Sequence, residues 1–332
     1  MLVSLVAQAA LLCPSFEIAR QTLNTHAINL NVKTIRRITI NLAKEAMPLR
    51  GRVSLLDTDR IDAKTILVCI DGGRLRERRA KRGRKSKRQK RQGYHAEWKE
   101  PIQFVIQTVD PDGTISKKHL PLYDATMGDI DAAFKLLEIY LRELDISKAK
   151  RVVFCCDGAR SYWKRTGPLA ERLGILSHYE VIDYTHAKQN LHEIIDKLPK
   201  KLLKKEKMRI EEYWKNLLWE GEFNDLKKDI VKQITSPKKN KEALTKFNNY
   251  FMKNRNRMQY NHFRNLKIPT GSGCVESAIR RVINLRMKSP GIFWKPETSE
   301  PMLFLRSQLL SGRWHALTEN IFKHFRAFCL CN

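Results

Sequence analysis

The chain is short of acidic residues, of paired cysteines and of long apolar runs. Lys and Arg total 63 against 35 Asp and Glu, a formal net charge of +28. Such an imbalance repels itself unless a polyanion is near, which points first to nucleic acid and second to an anionic membrane surface. Charge alone does not separate DNA from RNA. The 7 cysteines, Cys13, Cys69, Cys155, Cys156, Cys274, Cys329 and Cys331, are odd in number and contain no C-x-x-C pair. That argues against a zinc site and against a disulfide framework. Cys69, Cys155 and Cys156 stand in apolar runs and are expected as core thiols of a reduced, intracellular chain. The apolar start, Met1 to Leu12, has no basic region before it and is too short to span a bilayer. A packed first helix is expected there rather than a signal peptide. No internal repeat is visible.

What is present is enough for a large core. The 332 residues are 42% hydrophobic, an ordinary share for a globular protein. Residues 1–50 read as helical. Ser15 is placed to cap a helix starting at Phe16, and a second helix is expected from Val32 to Leu42. Its Ile35, Ile38 and Leu42 share a face, with Lys33, Arg36 and Arg37 off it. This fits a DNA-reading helix-turn-helix or a plain helical hairpin. Thr65 to Ile70 is a short, β-branched apolar run that reads as a buried strand ending at Asp71-Gly72-Gly73. Arg74 to Gly93 then carries 12 Lys or Arg in 20 residues and reads as a flexible loop, with too few apolar residues to pack.

Ile102 to Val109 alternates into a second strand. Asp110-Pro-Asp-Gly113 signals a turn, and Thr114 to Leu120 is expected to return as a third strand. A helix over Asp129–Leu144 follows. Arg151 to Cys156 is another buried strand, again ending in Asp-Gly at Asp157-Gly158. Tyr179 to Ile182 is a short strand ending at Asp183, before a helix from about Thr185 to Leu198. This order predicts an α/β fold, a mixed sheet with helices packed on it. Residues 199–264 are Lys-rich with few strand signals and read as an all-helical insert. Residues 265–332 return to helix after Thr270-Gly271-Ser272-Gly273.

Two buried strands each end in Asp-Gly. A carboxylate at a strand end is held rigidly, and Gly permits a close approach. Mg²⁺ (or Mn²⁺) takes oxygen ligands and keeps several waters, so a few carboxylates suffice. Asp71 and Asp157 are therefore candidate metal ligands and catalytic residues for two-metal phosphoryl transfer. Glu276, beside the apolar stripe of the next predicted helix, is the candidate third. For a single Asp-Gly, a turn or cap role would be the better reading.

Four stretches carry a resemblance. They are Val68-Cys-Ile-Asp71-Gly-Gly-Arg74; Phe154-Cys-Cys-Asp157-Gly-Ala-Arg160; Val181-Ile-Asp183-Tyr-Thr-His186-Ala; and Gly271-Ser-Gly-Cys-Val-Glu276-Ser-Ala, continuing to Arg286-Met-Lys-Ser-Pro-Gly291-Ile-Phe-Trp294. In this order they resemble the RNase-H-like core of DDE transposases, most closely the ISKra-type bacterial insertion-sequence enzymes of the Mutator-related branch. The resemblance spans roughly residues 64–296. It implies a core whose first part is 64–198, a helical insertion over 199–264, and a catalytic Glu helix with C-terminal helices over 265–332. It places the acidic triad on Asp71, Asp157 and Glu276, with two Mg²⁺ or Mn²⁺ ions. It puts the Asp-x-x-His signature on Asp183 and His186 as supporting residues; composition and spacing alone read these as a helix cap and a satisfied histidine.

The implied activity is cleavage and strand transfer of an insertion sequence. The partners would be element ends and target DNA, with the chain as a homo-oligomer on DNA and no membrane role. The implied location is cytoplasmic and nucleoid-associated. Chains of this type tend to carry more sequence before the helix-turn-helix-like region, which implies a shortened chain and leaves room for an inactive remnant. Two other readings are a structure-selective nuclease of the same fold and a non-catalytic basic DNA-binding protein. Arg74, Arg78, Arg79, Lys81, Arg82, Arg84, Lys85 and Arg88 directly follow the first Asp, so they are expected to neutralise DNA phosphates without reading bases. Arg160, Arg280, Arg281, Arg286 and Lys288 are expected to join them. Trp214, Trp219 and Tyr250 could stack an unpaired base, although tryptophans in such an insert are more often helix packing. Trp294 reads as packing.

Overall fold

The structure, a computed structural model, describes residues 1–51, 59–83 and 93–330. Three helices open the chain: α1 (Leu2–Leu12), α2 (Phe16–Thr25) and α3 (Val32–Ala46). Ser15 caps α2 as expected, its Oγ accepting the Ile18 N–H at 3.1 Å. The α3 helix runs one turn past its expected end and buries Ile35 and Leu42. The α1 helix buries Val6, Ala7, Ala10 and Leu11 and is the packed first helix foreseen. No helix among the described residues is long and apolar enough to cross a membrane.

The core is a five-stranded sheet. Its strands are β1 (Thr65–Gly72), β4 (Ile102–Val109), β5 (Leu122–Thr126), β6 (Arg151–Cys156) and β7 (His178–Ile182), in the order β5-β4-β1-β6-β7. The pairs β1–β4 and β4–β5 are antiparallel, while β1–β6 and β6–β7 are parallel, so the sheet is mixed. A separate antiparallel pair, β2 (Leu75–Ala80) and β3 (Tyr94–Lys99), leaves the sheet after β1.

Strand alternation sorts the core onto two faces. Ile66, Val68, Ile70, Phe154, Cys156 and Ile182 face one side. There they meet α4 (Ile130–Glu143), α5 (Arg160–Arg172) and α6 (Tyr184–Ile195). The insert helices α7 (Lys204–Glu220), α8 (Phe223–Gln233), α9 (Pro237–Phe247) and α10 (Tyr260–Asn265) follow in the chain. Trp214, Leu218, Leu226, Phe247 and Tyr260 of these helices share that same core. Leu67, Cys69, Val153, Cys155 and Val181 face the other side. That side holds α11 (Gly273–Ile279), α12 (Pro296–Leu310), α13 (Trp314–Leu330) and part of α1 and α3.

Two expectations fail. Thr114–Leu120 is not a strand; only Ile115 bridges Val109, and the edge strand begins at Leu122. Nor is Arg74–Gly93 a loop throughout, because β2 occupies its first part. Leu75 and Glu77 turn inward and are buried, and Glu77 Oε1 accepts the Ser299 hydroxyl at 2.6 Å. Backbone bonds then clamp the strand to Trp294: Arg78 N–H donates to its carbonyl at 2.8 Å, and its own N–H donates to the Arg76 carbonyl at 2.9 Å. Arginine side chains cover aromatic faces, Arg76 over Phe293 and Trp98, Arg78 over Tyr94. Charge density hid a strand whose inward residues are only one Leu and one paired Glu.

Candidate active site

The register of the central strands brings the acids to one edge. In the parallel β1–β6 pair Ile70 stands opposite Cys156, so Asp71 and Asp157 are the next residues of adjacent strands. In β6–β7 Cys156 stands opposite Ile182, so Asp183 continues the row. Adjacent strands run about 4.8 Å apart. By alternation all three acids follow Cys69, Cys155 and Val181 onto the face that carries α11. That helix buries Val275, Ala278 and Ile279 and presents Glu276 as an exposed side chain.

Asp183 ties α11 to this row. Its Oδ2 accepts the Ser272 N–H in a short bond, and its Oδ1 accepts the His186 N–H at 2.9 Å. It is thus a helix cap for α6, as the plain reading expects, and also an anchor for the Glu276 helix. Burial acts to raise its pKa, but the His186 and Ser272 hydrogen bonds outweigh this and hold the carboxyl far below the usual range. His186 Nδ1 lies 3.3 Å from Asp183 Oδ1, an ion-pair contact rather than an aligned hydrogen bond. Asp183, then Asp71 and Asp157, raise the His186 pKa against the effect of burial.

Asp71 feels the whole cluster. Burial is the main cause that raises its pKa; the charges of Asp157 and Glu276 add to it. The Gly72 N–H, donating to Oδ1 at 2.7 Å, and His186 oppose them. Asp157 Oδ1 accepts the Ala159 N–H at 2.9 Å, so this acid also makes the turn into α5. Tyr162 and Tyr250 stand close by. Burial first, and then the Asp157 charge, pushes both phenols well above their ordinary pKa. The Tyr250 ring comes from the insert and lies over Gly158; a Cβ there would stand 2.3 Å from it. This close approach explains the glycine after Asp157.

Two residues at this edge carried no sequence signal. Gln103 on β4 is the register partner of Asp71, is fully buried, and has neither amide atom hydrogen-bonded. Glu100, just before β4, packs on Gly72, its Cγ and Oε1 each 3.1 Å from where a Cβ would sit. The cross-strand partner of Asp71 could have been found only by fixing the β1–β4 register.

The fit to a divalent cation can be judged on these groups. No three His, Cys, Asp or Glu side chains among the described residues converge closely enough to hold one ion. The expected tight triad is therefore not pre-formed. Mg²⁺ needs only one or two carboxylates when substrate phosphates and waters complete its shell. Asp71 and Asp157 supply oxygen donors of the right hardness. The Asp157 charge beside Asp71 is repulsive, and a cation between them would relieve it; the buried Gln103 amide still needs hydrogen-bond partners. The residues present fit.

The expected phosphate contacts divide. Arg74, Arg79, Lys81, Arg82, Arg160, Arg280 and Lys288 are exposed, while Arg78 is half-buried. Arg84, Lys85 and Arg88 lie outside the described residues. Arg281 donates to the Tyr123 hydroxyl at 2.5 Å and covers that ring. Arg286 is not on an open helix face: it is 1% exposed, lies beyond the π-helical turn over Arg280–Asn284, and donates through Nε to the Ala10 carbonyl at 3.0 Å. Its guanidinium stacks on Phe16 and Trp294, so its place is in the junction with the N-terminal helices. Trp214 is fully buried and donates to Asp229 at 2.7 Å, which removes it as a base-stacking surface. Trp219 packs on Tyr184 and Tyr260, and Trp294 is core as expected.

No family model matches the chain, and no curated protein matches it. Among solved structures, the Drosophila P element transposase strand transfer complex is similar at 14% sequence identity and a TM-score of 0.34, with 98% of this chain and 80% of that chain covered.

Proposed function

We propose that the chain is a DDE-type DNA transposase that cuts DNA and joins the freed end to a new strand. The observation that carries this reading is the register placing Asp71 beside Asp157 at the ends of two parallel strands, on the face where α11 presents Glu276. The sheet order and strand directions are consistent with an RNase-H-like core, and the acids of the first three motifs stand in one row after β1, β6 and β7, with Glu276 of the fourth on α11.

Asp71, Asp157 and Glu276 would hold the ions. Mg²⁺ or Mn²⁺ bound there supplies Lewis-acid stabilisation of the attacking and leaving oxygens. The protein's own part is positional. The central strands fix Asp71 and Asp157, and Asp183 fixes the start of α11 through Ser272. The imidazole of His186, kept protonated to higher pH by its three acidic neighbours, would orient the scissile phosphate. Water attacks first and leaves a 3′-OH; that hydroxyl then attacks target DNA in line. One site serves both steps. The chain would work as a homo-oligomer on DNA. The test is divalent-metal-dependent joining of a labelled 3′-OH end by the full chain. Joining supports a transposase, cleavage without joining a nuclease, and neither a DNA-binding protein.

The basic hairpin has a separate expected behaviour. β2 leads directly from the Asp71 edge, so its charges lie beside any strand held there. Replacing Arg78, Arg79, Lys81 and Arg82 with Gln should weaken binding to all DNA sequences alike. The slope of log K against log salt should flatten by about 0.9 for each phosphate that is no longer neutralised. A weakening confined to one sequence, at unchanged slope, would mean base reading instead.

A further inference from the structure

Three thiols lie directly beneath the acidic edge, and the proposed chemistry uses none of them. Cys69 stands two residues before Asp71 on β1, and Cys155 is its register partner on β6. Cys274 stands two residues before Glu276 on α11. Its Sγ lies 3.3 Å from Cys69 Sγ, with the two residues 205 positions apart in sequence. Cys69 and Cys155 are buried, whereas Cys274 is only partly so. All three are free thiols. The Cys69–Cys274 contact bridges the two elements that carry opposite sides of the candidate site.

We propose that Cys69 and Cys274 are an oxidative modification site: a hydroperoxide converts them to a reversible disulfide that locks α11 onto β1 and stops strand cleavage and joining. The sulfur of Cys274, the more accessible of the pair, attacks the O–O bond of hydrogen peroxide. An S–O bond forms, the O–O bond breaks, and the thiol proton leaves with the departing oxygen as water. The Cys69 sulfur then displaces the hydroxyl from the Cys274 sulfenic acid, and a second water leaves. Two thiols lose two electrons and the peroxide gains them. Cys69 is already in contact with Cys274 and serves as the resolving thiol, while Cys155, its register partner on β6, is the competing thiol.

The effect on the site follows from position. Bonding two sulfurs that now only touch must draw the start of α11 toward β1, two residues from Glu276 and two from Asp71. The cross-link fixes α11 in that shifted place, so it can no longer adjust to bring Glu276 into line with Asp71 and Asp157; a misplacement of about 1 Å costs on the order of 10²-fold in rate. The disulfide itself does not depend on the proposed function; its effect on DNA joining does.

The test uses the full chain treated with hydrogen peroxide, then alkylated, digested without reductant and analysed by mass spectrometry. The expected result is a Cys69–Cys274 linked peptide that disappears with dithiothreitol. Joining activity should fall on the order of 10²-fold as the link forms, and return on reduction. Cys274→Ser should keep basal joining and resist peroxide; Cys274→Ala serves as the second variant if circular dichroism shows the first misfolded. Absence of the linked peptide, a Cys69–Cys155 link in its place, or undiminished joining by fully linked protein would each overturn the proposal. If untreated protein joins no DNA, the functional reading fails, while the peptide map still decides the disulfide.

Discussion

Asp157→Asn is expected to leave DNA binding intact while cleavage and joining fall together by several orders of magnitude. The substitution keeps the size of the side chain and its oxygen acceptor, so the turn bond from the Ala159 N–H survives. What disappears is the charge that would hold a hard cation. DNA affinity rests on the +28 balance and its phosphate contacts, which removing one carboxylate does not weaken. Both chemical steps fall because they share one site. Asp183→Asn should be milder in chemistry, since that residue acts through α11 and His186. Gel shift and joining are to be measured on one preparation, with folding checked by circular dichroism. A folded Asp157→Asn protein that joins DNA at near the parent rate would remove the acidic edge from the mechanism.

The parts of this edge that were legible in the sequence are those set by local pattern. Central strands such as Thr65–Ile70 and Arg151–Cys156 are buried on both faces and so read as continuous apolar runs. Each ends where a charged residue meets a glycine, which is why Asp71 and Asp157 stood out. The helix start at Ser15 was visible because a short polar side chain caps the first turn, and the helix after Asp129 because its apolar residues recur at helical spacing.

What stayed hidden depends on partners distant in sequence. Strand β5 contains Asp124, fully buried, which no strand pattern favours; it is tolerated because Arg50, 74 residues earlier, reaches it. Strand β2 was masked in the same way, since its inward Glu77 is satisfied by Ser299, 222 residues later. Arg286 looked like one more phosphate ligand in a basic run. Only the packing of α2 and the Trp294 segment shows its guanidinium sandwiched between aromatic rings. Gln103 gains its meaning from the β1–β4 register, which sequence alone leaves open by one residue in either direction.

Arg50→Ala is expected to cost about 3–5 kcal/mol of folding stability, the range for breaking one side of a buried ion pair. Arg50 Nε and Nη2 each meet an Asp124 oxygen at 2.9 Å, a two-point contact between the end of the N-terminal segment and the edge strand. Its Nη1 meets Glu300 on α12 at 2.7 Å, and Nη2 also donates to the Ala125 carbonyl at 2.5 Å. The Tyr140 hydroxyl of α4 donates to Asp124 Oδ2 at 2.9 Å. One guanidinium therefore joins the helical start of the chain, β5 and α12, with α4 attached through the shared carboxylate. Burial acts to lower the Arg50 pKa, but the Asp124 charge and hydrogen bonds more than reverse it, so the guanidinium stays charged. Removing it leaves Asp124 buried with, among the described residues, the Tyr140 hydroxyl and the Ala125 N–H to meet its charge. That deficit, rather than the missing attraction alone, gives the effect its size. Replacing both partners, Arg50→Met with Asp124→Leu, should recover most of the stability because no buried charge is then stranded. Urea unfolding of the parent, the single variant and the double variant measures both. A single variant within about 1 kcal/mol of the parent would mean that Asp124 finds water or another cation, and that the N-terminal helices are not held to the sheet through this pair.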